Sequence, residues 1–190
     1  MGGENSPKKI IDGIELSLKE SNENFFKLYG NKDKLNFLVN KKPEIKNYCE
    51  IIHCDNHIED EESPLTAAKK SKSTSMWQSI ESQNKGKSQI TLSAGNTGAL
   101  LILSRLILSM IDGIEKPALA GLWPNKIGMN VVLDLGANIK CNDKNLIDFS
   151  YMGAALHKAL YPEINPKIAL LNIGLEEIKG SEVIKKAYQH

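Results

Sequence analysis

The 190-residue chain has little of several residue types, and each shortage argues against a class of function. Arg105 is its single arginine, so bidentate guanidinium clamps on phosphate are nearly excluded. An anion site would have to use lysine or backbone N–H groups instead. The cysteines number three, an odd and sparse set that indicates reduced thiols rather than a disulfide framework.

An excess of charge of either sign is also lacking. The 24 basic and 23 acidic side chains leave a net charge of +1, which gives no electrostatic footprint for nucleic acid. The most apolar run, Ala99 to Met110, is too short to span a membrane and is interrupted by Arg105. No apolar leader follows Met1. These features predict a soluble cytoplasmic protein without a nucleic-acid partner.

Apolar runs suited to strands alternate with amphipathic stretches suited to helices, which predicts a single α/β domain over residues 1–190 with a mainly parallel sheet. The predicted helices start at Pro7 after an N-cap at Ser6, at Asp33 (to Asn40), at Pro64 after an N-cap at Ser63, after Gly98 (to Met110) and at Lys144 (to Leu160). The predicted strands are Phe25–Tyr29, Tyr48–His53, Gln89–Leu92, Asn130–Leu135 and Lys167–Asn172.

The loop Ser93–Gly98 is the strongest candidate for chemistry. It follows a predicted strand and opens a helix, so its glycines would let backbone N–H groups approach an anion at the positive end of the helix dipole. Asn96 and Thr97 add uncharged donors suited to phosphate oxygens. The alternative is a plain turn in which Asn96 or Thr97 only caps the helix. The loop fits neither the dinucleotide fingerprint nor the P-loop.

Two further polar loops follow predicted strands and should lie at the same end of the sheet. Asp134 and Asn138 flank the first, where they could equally serve to satisfy backbone groups in a tight turn. The second is Asn172–Gly174. Glu176, Glu177 and Lys179 follow it, either as site groups or, as we favour for an isolated charge run, as a solvated face.

Neither a metal site nor a hydrolase triad is predicted. Cys49, His53, Cys54 and His57 match no standard zinc spacing, and on a strand Cys54 would point away from Cys49 and His53. Neither His157 nor His190 stands beside a serine or cysteine nucleophile pattern.

Taken in order, the loops resemble one family, the bacterial phosphate acyltransferases of fatty acid and phospholipid synthesis (PlsX). Each segment alone is a weak signal, but the collinear set is specific. The matching segments are Met1–Pro7, Ser75–Met76, Leu92–Leu100, Lys116–Ala120, Leu133–Asn138, and Leu170–Gly174 followed by Lys179–Gly180 and Ala187–Tyr188.

The resemblance implies a Rossmann-like three-layer α/β/α sandwich and a homodimer. It implies transfer of an acyl group from acyl carrier protein to inorganic phosphate, without a cofactor, in the cytoplasm and with peripheral membrane contact. Phosphate is itself a nucleophile, so the site must hold it and stabilise an oxyanion. The residues implied for phosphate or substrate are Gly2, Gly3, Ser93, Gly95, Asn96, Thr97, Gly98 and Asp134, and those implied for catalysis are Asn96, Asn138, Asn172 and Lys179.

The chain departs from the family pattern at Glu4, where members usually have Asp, and at Lys140, where they usually have an acidic residue. A strand before Met1 and a large portion after His190 are also expected, so we expect a chain truncated at both ends. Two alternatives follow: a phosphotransacetylase-like enzyme acting on a small acyl-CoA, and a truncated, non-catalytic binding fragment. The run Lys69–Lys72 is a conceivable docking patch for an acidic carrier protein, although a solvated helix end is the reading we favour.

Overall fold

The computed structural model describes residues 1–69, 72–174, 176 and 178–190. They form two compact units, Met1–Ser109 and Met110–His190. The sequence-based expectation of a single domain over residues 1–190 stays a prediction. Each unit has its own two-stranded sheet.

The first unit carries a parallel strand pair covered by helices. Strands β1 (Phe26–Gly30) and β2 (Cys49–His53) pair in parallel, with Phe26 opposite Cys49 and Gly30 opposite His53, as expected for adjacent strands joined by a helix. In chain order its elements are α1 (Lys8–Glu20), β1 (Phe26–Gly30), α2 (Lys32–Asn40), a 3-10 turn (Pro43–Tyr48), β2 (Cys49–His53), α3 (Pro64–Lys69), α4 (Ser75–Asn84) and α5 (Thr97–Leu108).

Two apolar clusters hold this unit together. In α1, Ile11 and Ile14 are buried at helical spacing and pack on β1 and α2, so the predicted amphipathic face is confirmed. A second cluster joins α3, α4 and α5 and thereby fixes the start of α5 beside residue 58. The first cluster is Ile11, Ile14, Leu28, Leu35, Val39 and Ile45, and the second is Ile58, Ala67, Met76, Ile80, Ala99 and Leu103.

The predicted helix caps have different outcomes. Ser63 is confirmed, since its Oγ accepts the Thr66 N–H at 3.2 Å. Ser6 is wrong as a cap, because Pro7 occupies the N-cap position of α1 without a side-chain hydrogen bond. In the turn before Pro7, Asn5 has a positive φ of 57°, and its carbonyl accepts the Lys9 N–H at 3.2 Å.

Residues 89–92 are not a strand, contrary to the prediction. A strand requires a hydrogen-bonded neighbour, and within the described ranges no other strand pairs with this segment. Ile90 and Leu92 are 69% and 76% exposed. The segment is held instead by the Thr91 hydroxyl, which donates to the Ser79 carbonyl of α4 at 3.2 Å.

The second unit corrects two predicted strands. The strand predicted at Asn130–Leu135 is shorter and antiparallel, because a tight turn joins it to a preceding strand, with the Asn125 N–H donating to the Gly128 carbonyl at 2.9 Å. Residues 167–172 have no strand assignment, and Ile168 and Leu171 are exposed. The elements are β3 (Gly121–Pro124), β4 (Met129–Val132), α6 (Asp143–Leu160) and α7 (Glu182–Gln189).

The start of α6 is firmly fixed. Asn142 and Asn145 form a reciprocal capping box, and both side chains accept the other residue's backbone N–H. Asp148 is buried and accepts the Glu115 N–H at 3.1 Å, with the Lys144 ammonium 3.3 Å from the same carboxylate. The segment before β3 is thereby attached to α6.

A mixed α/β fold with a short parallel sheet is confirmed. None of the helices in the described part of the chain combines the length and apolar character that spanning a bilayer requires.

Candidate functional site

The first two glycines pack directly against backbone. Gly2 and Gly3 have positive φ values of 58° and 92°, a region that side chains disfavour. A Cβ atom at Gly2 would collide with the Ile58 carbonyl, and one at Gly3 with the Ala94 carbonyl. The N-terminal loop therefore meets both the segment at residue 58 and the loop Ser93–Gly98, and only glycine fits at these two positions.

The loop Ser93–Gly98 leads into α5 as the sequence predicts. The Ser93 hydroxyl accepts the Gly95 N–H at 3.3 Å, which tightens the turn. Gly98 permits the close approach of α3, because a Cβ there would lie 2.6 Å from Pro64 Cγ. Ser93 and Thr97 are exposed, whereas Gly95 and Gly98 are half-buried.

Asn96 uses both ends of its side chain. Its Oδ1 accepts the Ala99 N–H at 2.9 Å and so caps α5. Residues 59–62, Glu-Asp-Glu-Glu, form an acidic loop. The Asn96 Nδ2 donates to three carbonyls of this loop, those of Glu59, Asp60 and Glu62, at 3.3, 2.9 and 2.7 Å. In this conformation the side chain has no spare N–H to offer a phosphate, so its predicted role as a ligand would require these bonds to be released.

The first turn of α5 retains unused donors. A helix leaves its first N–H groups without intrahelical acceptors. Ala99 and Leu100 direct theirs to Asn96, but none of the hydrogen bonds in the described part of the chain uses the N–H of Thr97 or Gly98. These two groups stand at the positive end of the helix dipole, where an anion is favoured.

A cavity of about 110 Å³ adjoins the same loops in the first unit. Its wall is formed by the N-terminal loop, β1, α4 and the segment 92–95. The polar residues among those that line it are Ser6, Lys27, Tyr29, Ser75, Ser79 and Ser93.

Asp134 organises the second polar loop. Its Oδ1 accepts the N–H groups of Leu119 and Ala137 at 2.9 and 3.1 Å, and its Oδ2 accepts from Asn138. Partial burial acts to raise the pKa of Asp134, but these hydrogen bonds outweigh burial and hold the pKa below its ordinary value of 3.8. Both amide hydrogens of Asn138 are engaged, one by Asp134 and one by the Pro117 carbonyl at 2.8 Å.

Asn172 and Lys179 lie together in the second unit. The Asn172 Nδ2 donates to the Lys179 carbonyl at 3.4 Å. Gly180 has a φ of 89°, and a Cβ there would lie 2.5 Å from the Asn172 Oδ1. The Lys179 stem passes Gly174, where a Cβ would lie 3.0 Å from its Cγ, and Lys179 itself is exposed. Glu176 is exposed beside them, and Glu177 lies outside the described residues.

The structure thus groups the predicted residues in three places. Gly2, Gly3 and the loop Ser93–Gly98 meet in the first unit. Asp134 pairs with Asn138, and Asn172 with Lys179, in the second. Among the described residues no hydrogen bond connects these two pairs.

The cysteine and histidine residues near β2 have separate partners. His53 accepts the Lys32 N–H at 3.2 Å and contacts Asp55 at 3.0 Å, while His57 contacts Glu59 at 2.9 Å. Burial raises the pKa of the Cys54 thiol, and its Sγ lies 3.3 Å from the Gln78 Oε1. Among the described residues, no three or more His, Cys, Asp or Glu side chains come together in a group that could hold a metal ion.

Comparison with known proteins decides the family. The sequence model of the family described as "Fatty acid synthesis protein" matches residues 1–190. The chain belongs to this family. It is 56% identical over 189 residues to the phosphate acyltransferase of Pelagibacter ubique, and 38% identical over 190 residues to that of Parvibaculum lavamentivorans. The phosphate acyltransferase of Paramagnetospirillum magneticum is 35% identical over 187 residues.

All of this chain, or 98% of it for the third relative, aligns with 53–56% of these relatives, so the chain spans about half the length of the family members it matches. Family membership does not by itself assign to this chain the activity of relatives that are almost twice as long.

Sequence reasoning missed the acidic loop as part of the site. Its main-chain carbonyls, rather than its carboxylates, make the contacts to Asn96, and carbonyls carry no sequence signal. The anchoring of α6 by Glu115 and Asn145 was also missed. Here a signal exists, since Asn142 followed three residues later by Asn145 before an apolar helix resembles a capping box.

Proposed function

We propose that the protein to which this chain belongs transfers an acyl group from acyl carrier protein to inorganic phosphate, giving acyl phosphate for fatty acid and phospholipid synthesis. The observation that carries the proposal is the family match over the whole chain, together with relatives that bear the name phosphate acyltransferase.

The reaction needs no side-chain nucleophile. A phosphate oxygen attacks the thioester carbonyl carbon, the C–S bond breaks, and the carrier leaves as the thiol once its sulfur is protonated. The protein must therefore hold a dianion against the carbonyl and stabilise the negative charge that develops on the carbonyl oxygen.

The N–H groups of Thr97 and Gly98 suit the binding of phosphate. They are unused by the described part of the chain and lie at the start of α5, and the loop that carries them packs on Gly3. We include Gly2, Ser93 and Gly95 in this site because they line the cavity that adjoins this loop.

The oxyanion would be stabilised by residues for which the family resemblance implies catalytic roles. Lys179 is exposed and carries a positive charge, which suits this role. Asn172 sits beside it. Asn138 is engaged with Asp134 and Pro117, so it would act by shaping its loop unless its amide is released.

The remaining parts of the proposal come from the family resemblance and from composition. The resemblance implies a Rossmann-like three-layer α/β/α sandwich, a homodimer, peripheral membrane contact and the absence of a cofactor. The balanced charge and the sparse cysteines support a cytoplasmic location without a nucleic-acid partner. The parallel pair β1–β2 is compatible with the sandwich.

A substrate comparison tests the proposal against the acyl-CoA alternative. Consumption of palmitoyl carrier protein and of acetyl-CoA would be followed with and without phosphate, using this chain and a chain extended to the length of its relatives. We expect phosphate-dependent consumption of the carrier thioester. Faster use of acetyl-CoA would favour the phosphotransacetylase reading, and binding of the carrier without turnover by either chain would favour a binding module.

A further inference from the structure

Asn96 joins two segments that are far apart in the sequence. Its Nδ2 donates to the carbonyls of Glu59, Asp60 and Glu62, while its Oδ1 caps α5 through the Ala99 N–H. One side chain therefore fixes the acidic loop to the first turn of α5. Helix capping alone requires only the oxygen, so the amide nitrogen has a separate task.

The N-terminal glycines meet the same two segments from another side. Gly2 packs on the Ile58 carbonyl, directly before the acidic loop, and Gly3 packs on the Ala94 carbonyl, two residues before Asn96. The three segments 2–3, 58–62 and 93–96 thus contact one another in pairs. A shift of the acidic loop would therefore change the contacts of both glycines and of the start of α5.

We propose that Asn96 is a positioning residue, which holds the acidic loop in place so that the N–H groups of Thr97 and Gly98 keep the geometry that phosphate requires. The inference rests on the proposed function and deepens it. It assigns the Asn96 amide to the protein's own carbonyls rather than to the substrate.

Electrostatics explain why the loop needs such a clamp. Residues 59–62 carry four acidic side chains beside a proposed anion site, and like charges repel. The Asn96 amide binds the main chain of the loop, and His57 contacts Glu59 at 2.9 Å just before it. When the amide is removed, three carbonyls lose this donor and the loop loses its attachment to the first turn of α5.

Replacing asparagine by serine at two helix caps separates the two roles of Asn96, which are holding the acidic loop through its amide and capping α5 through its oxygen. Asn96→Ser keeps a capping oxygen but cannot reach three carbonyls. Asn31→Ser is the matched control, because Asn31 caps α2 by accepting the Lys34 N–H at 3.0 Å. Asn96→Asp is a second variant of the same size, which keeps the cap and turns the donor into an acceptor, and it decides the test if Asn96→Ser does not fold.

Limited proteolysis measures, independently of enzyme activity, whether the Asn96 amide holds the acidic loop in place. A protease that cuts after glutamate would be used on the 190-residue chain, with cleavage at Glu59, Glu61 and Glu62 compared with cleavage at the exposed Glu163 as an internal reference. We expect about tenfold faster cleavage of the loop in Asn96→Ser, because hydrogen bonds that hold it closed are lost. Asn31→Ser should match the wild type.

Steady-state kinetics test whether Asn96 positions the phosphate-binding N–H groups. In a chain that forms acyl phosphate, Asn96→Ser should raise the KM for phosphate about tenfold, while kcat and the KM for acyl carrier protein stay within about twofold. A merely structural loss would lower the amount of active protein and leave the KM for phosphate unchanged.

The outcomes are distinct. Faster loop cleavage with a raised KM for phosphate supports the proposal. Unchanged loop cleavage overturns the clamp, and faster cleavage with an unchanged KM for phosphate overturns the positioning role. A wild-type chain of full family length that forms no acyl phosphate removes the proposed function and the positioning role with it, whereas the proteolysis result still decides whether the clamp exists.

Discussion

Asn138 donates two hydrogen bonds to one oxygen of Asp134, from its backbone N–H at 2.7 Å and from its Nδ2 at 3.0 Å. The other carboxylate oxygen accepts the N–H groups of Leu119 and Ala137. One carboxylate thus satisfies the backbone of the turn 134–138 and ties it to the segment 117–119. The motif at the end of β4 is built around a charge that must remain ionised.

Asp134→Asn should lower the free energy of unfolding by about 1–3 kcal/mol at neutral pH, because an amide hydrogen replaces an acceptor that faces two donors of Asn138. The folded-state pKa of Asp134 lies below its ordinary value of 3.8, so the carboxylate stabilises the fold above that pH. This contribution is lost as the pH falls through the folded-state pKa.

Chemical denaturation of the wild type and Asp134→Asn between pH 7 and pH 3 checks this. The difference in unfolding free energy should be constant above about pH 5 and shrink below about pH 4. Asp112→Asn is the control, since Asp112 is an exposed loop carboxylate in the same unit. A difference at pH 3 as large as that at pH 7 would contradict the account.

Gly3→Ala should destabilise the first unit by about 1–3 kcal/mol, because it combines a positive φ with a collision against the Ala94 carbonyl. Gly13→Ala is the matched control. Gly13 lies exposed in α1 with open space around its Cα, so alanine there should stabilise by about 0.5–1 kcal/mol. Thermal unfolding of both variants measures these changes in stability. Equal changes in the two variants would contradict the close packing of Gly3.

Lys179→Met should lower kcat for acyl phosphate formation by about 100-fold, since it removes a charge proposed to stabilise the oxyanion and retains the stem that packs on Gly174. Lys167→Met, at an exposed lysine in coil, should leave kcat unchanged. Steady-state rates on a chain of full family length measure both. Equal rates for Lys179→Met and the wild type would remove Lys179 from the catalytic groups.

Local signals of the sequence predicted most helices. The spacing of Ile10, Ile11 and Ile14 indicates α1, and the Ser63–Pro64 pair marks the start of α3. Helix α4 escaped prediction because serine and glutamine dilute its apolar spacing, although Met76 and Ile80 are buried four residues apart. Helix α7 was also missed, although Val183, Ile184 and Ala187 follow helical spacing, because it is only eight residues long.

Strands were harder to predict because a strand depends on its neighbour. The strands predicted at Phe25–Tyr29 and Tyr48–His53 are confirmed as β1 and β2, and the structure adds that they pair with each other in parallel. The segments 89–92 and 167–172 have strand-like composition, yet no described strand pairs with either. The antiparallel pairing of β4 depends on the Asn125–Gly128 turn, which the sequence reading overlooked.

The candidate site was predicted in part. The sequence identified Asn96 and Asp134 as important residues, but the partners of their side chains are main-chain groups brought close by folding. The run Lys69–Lys72 stays a prediction: Lys69 is the exposed last residue of α3, and Lys70 and Ser71 lie outside the described residues.

Formation of acyl phosphate from palmitoyl carrier protein and inorganic phosphate, trapped with hydroxylamine, tests the central claim most directly. It would be measured on this chain and on one extended to the length of its relatives. The account predicts palmitoyl hydroxamate that requires phosphate and increases with its concentration in the extended chain. No hydroxamate above the phosphate-free background from that chain would contradict the proposed acyl transfer.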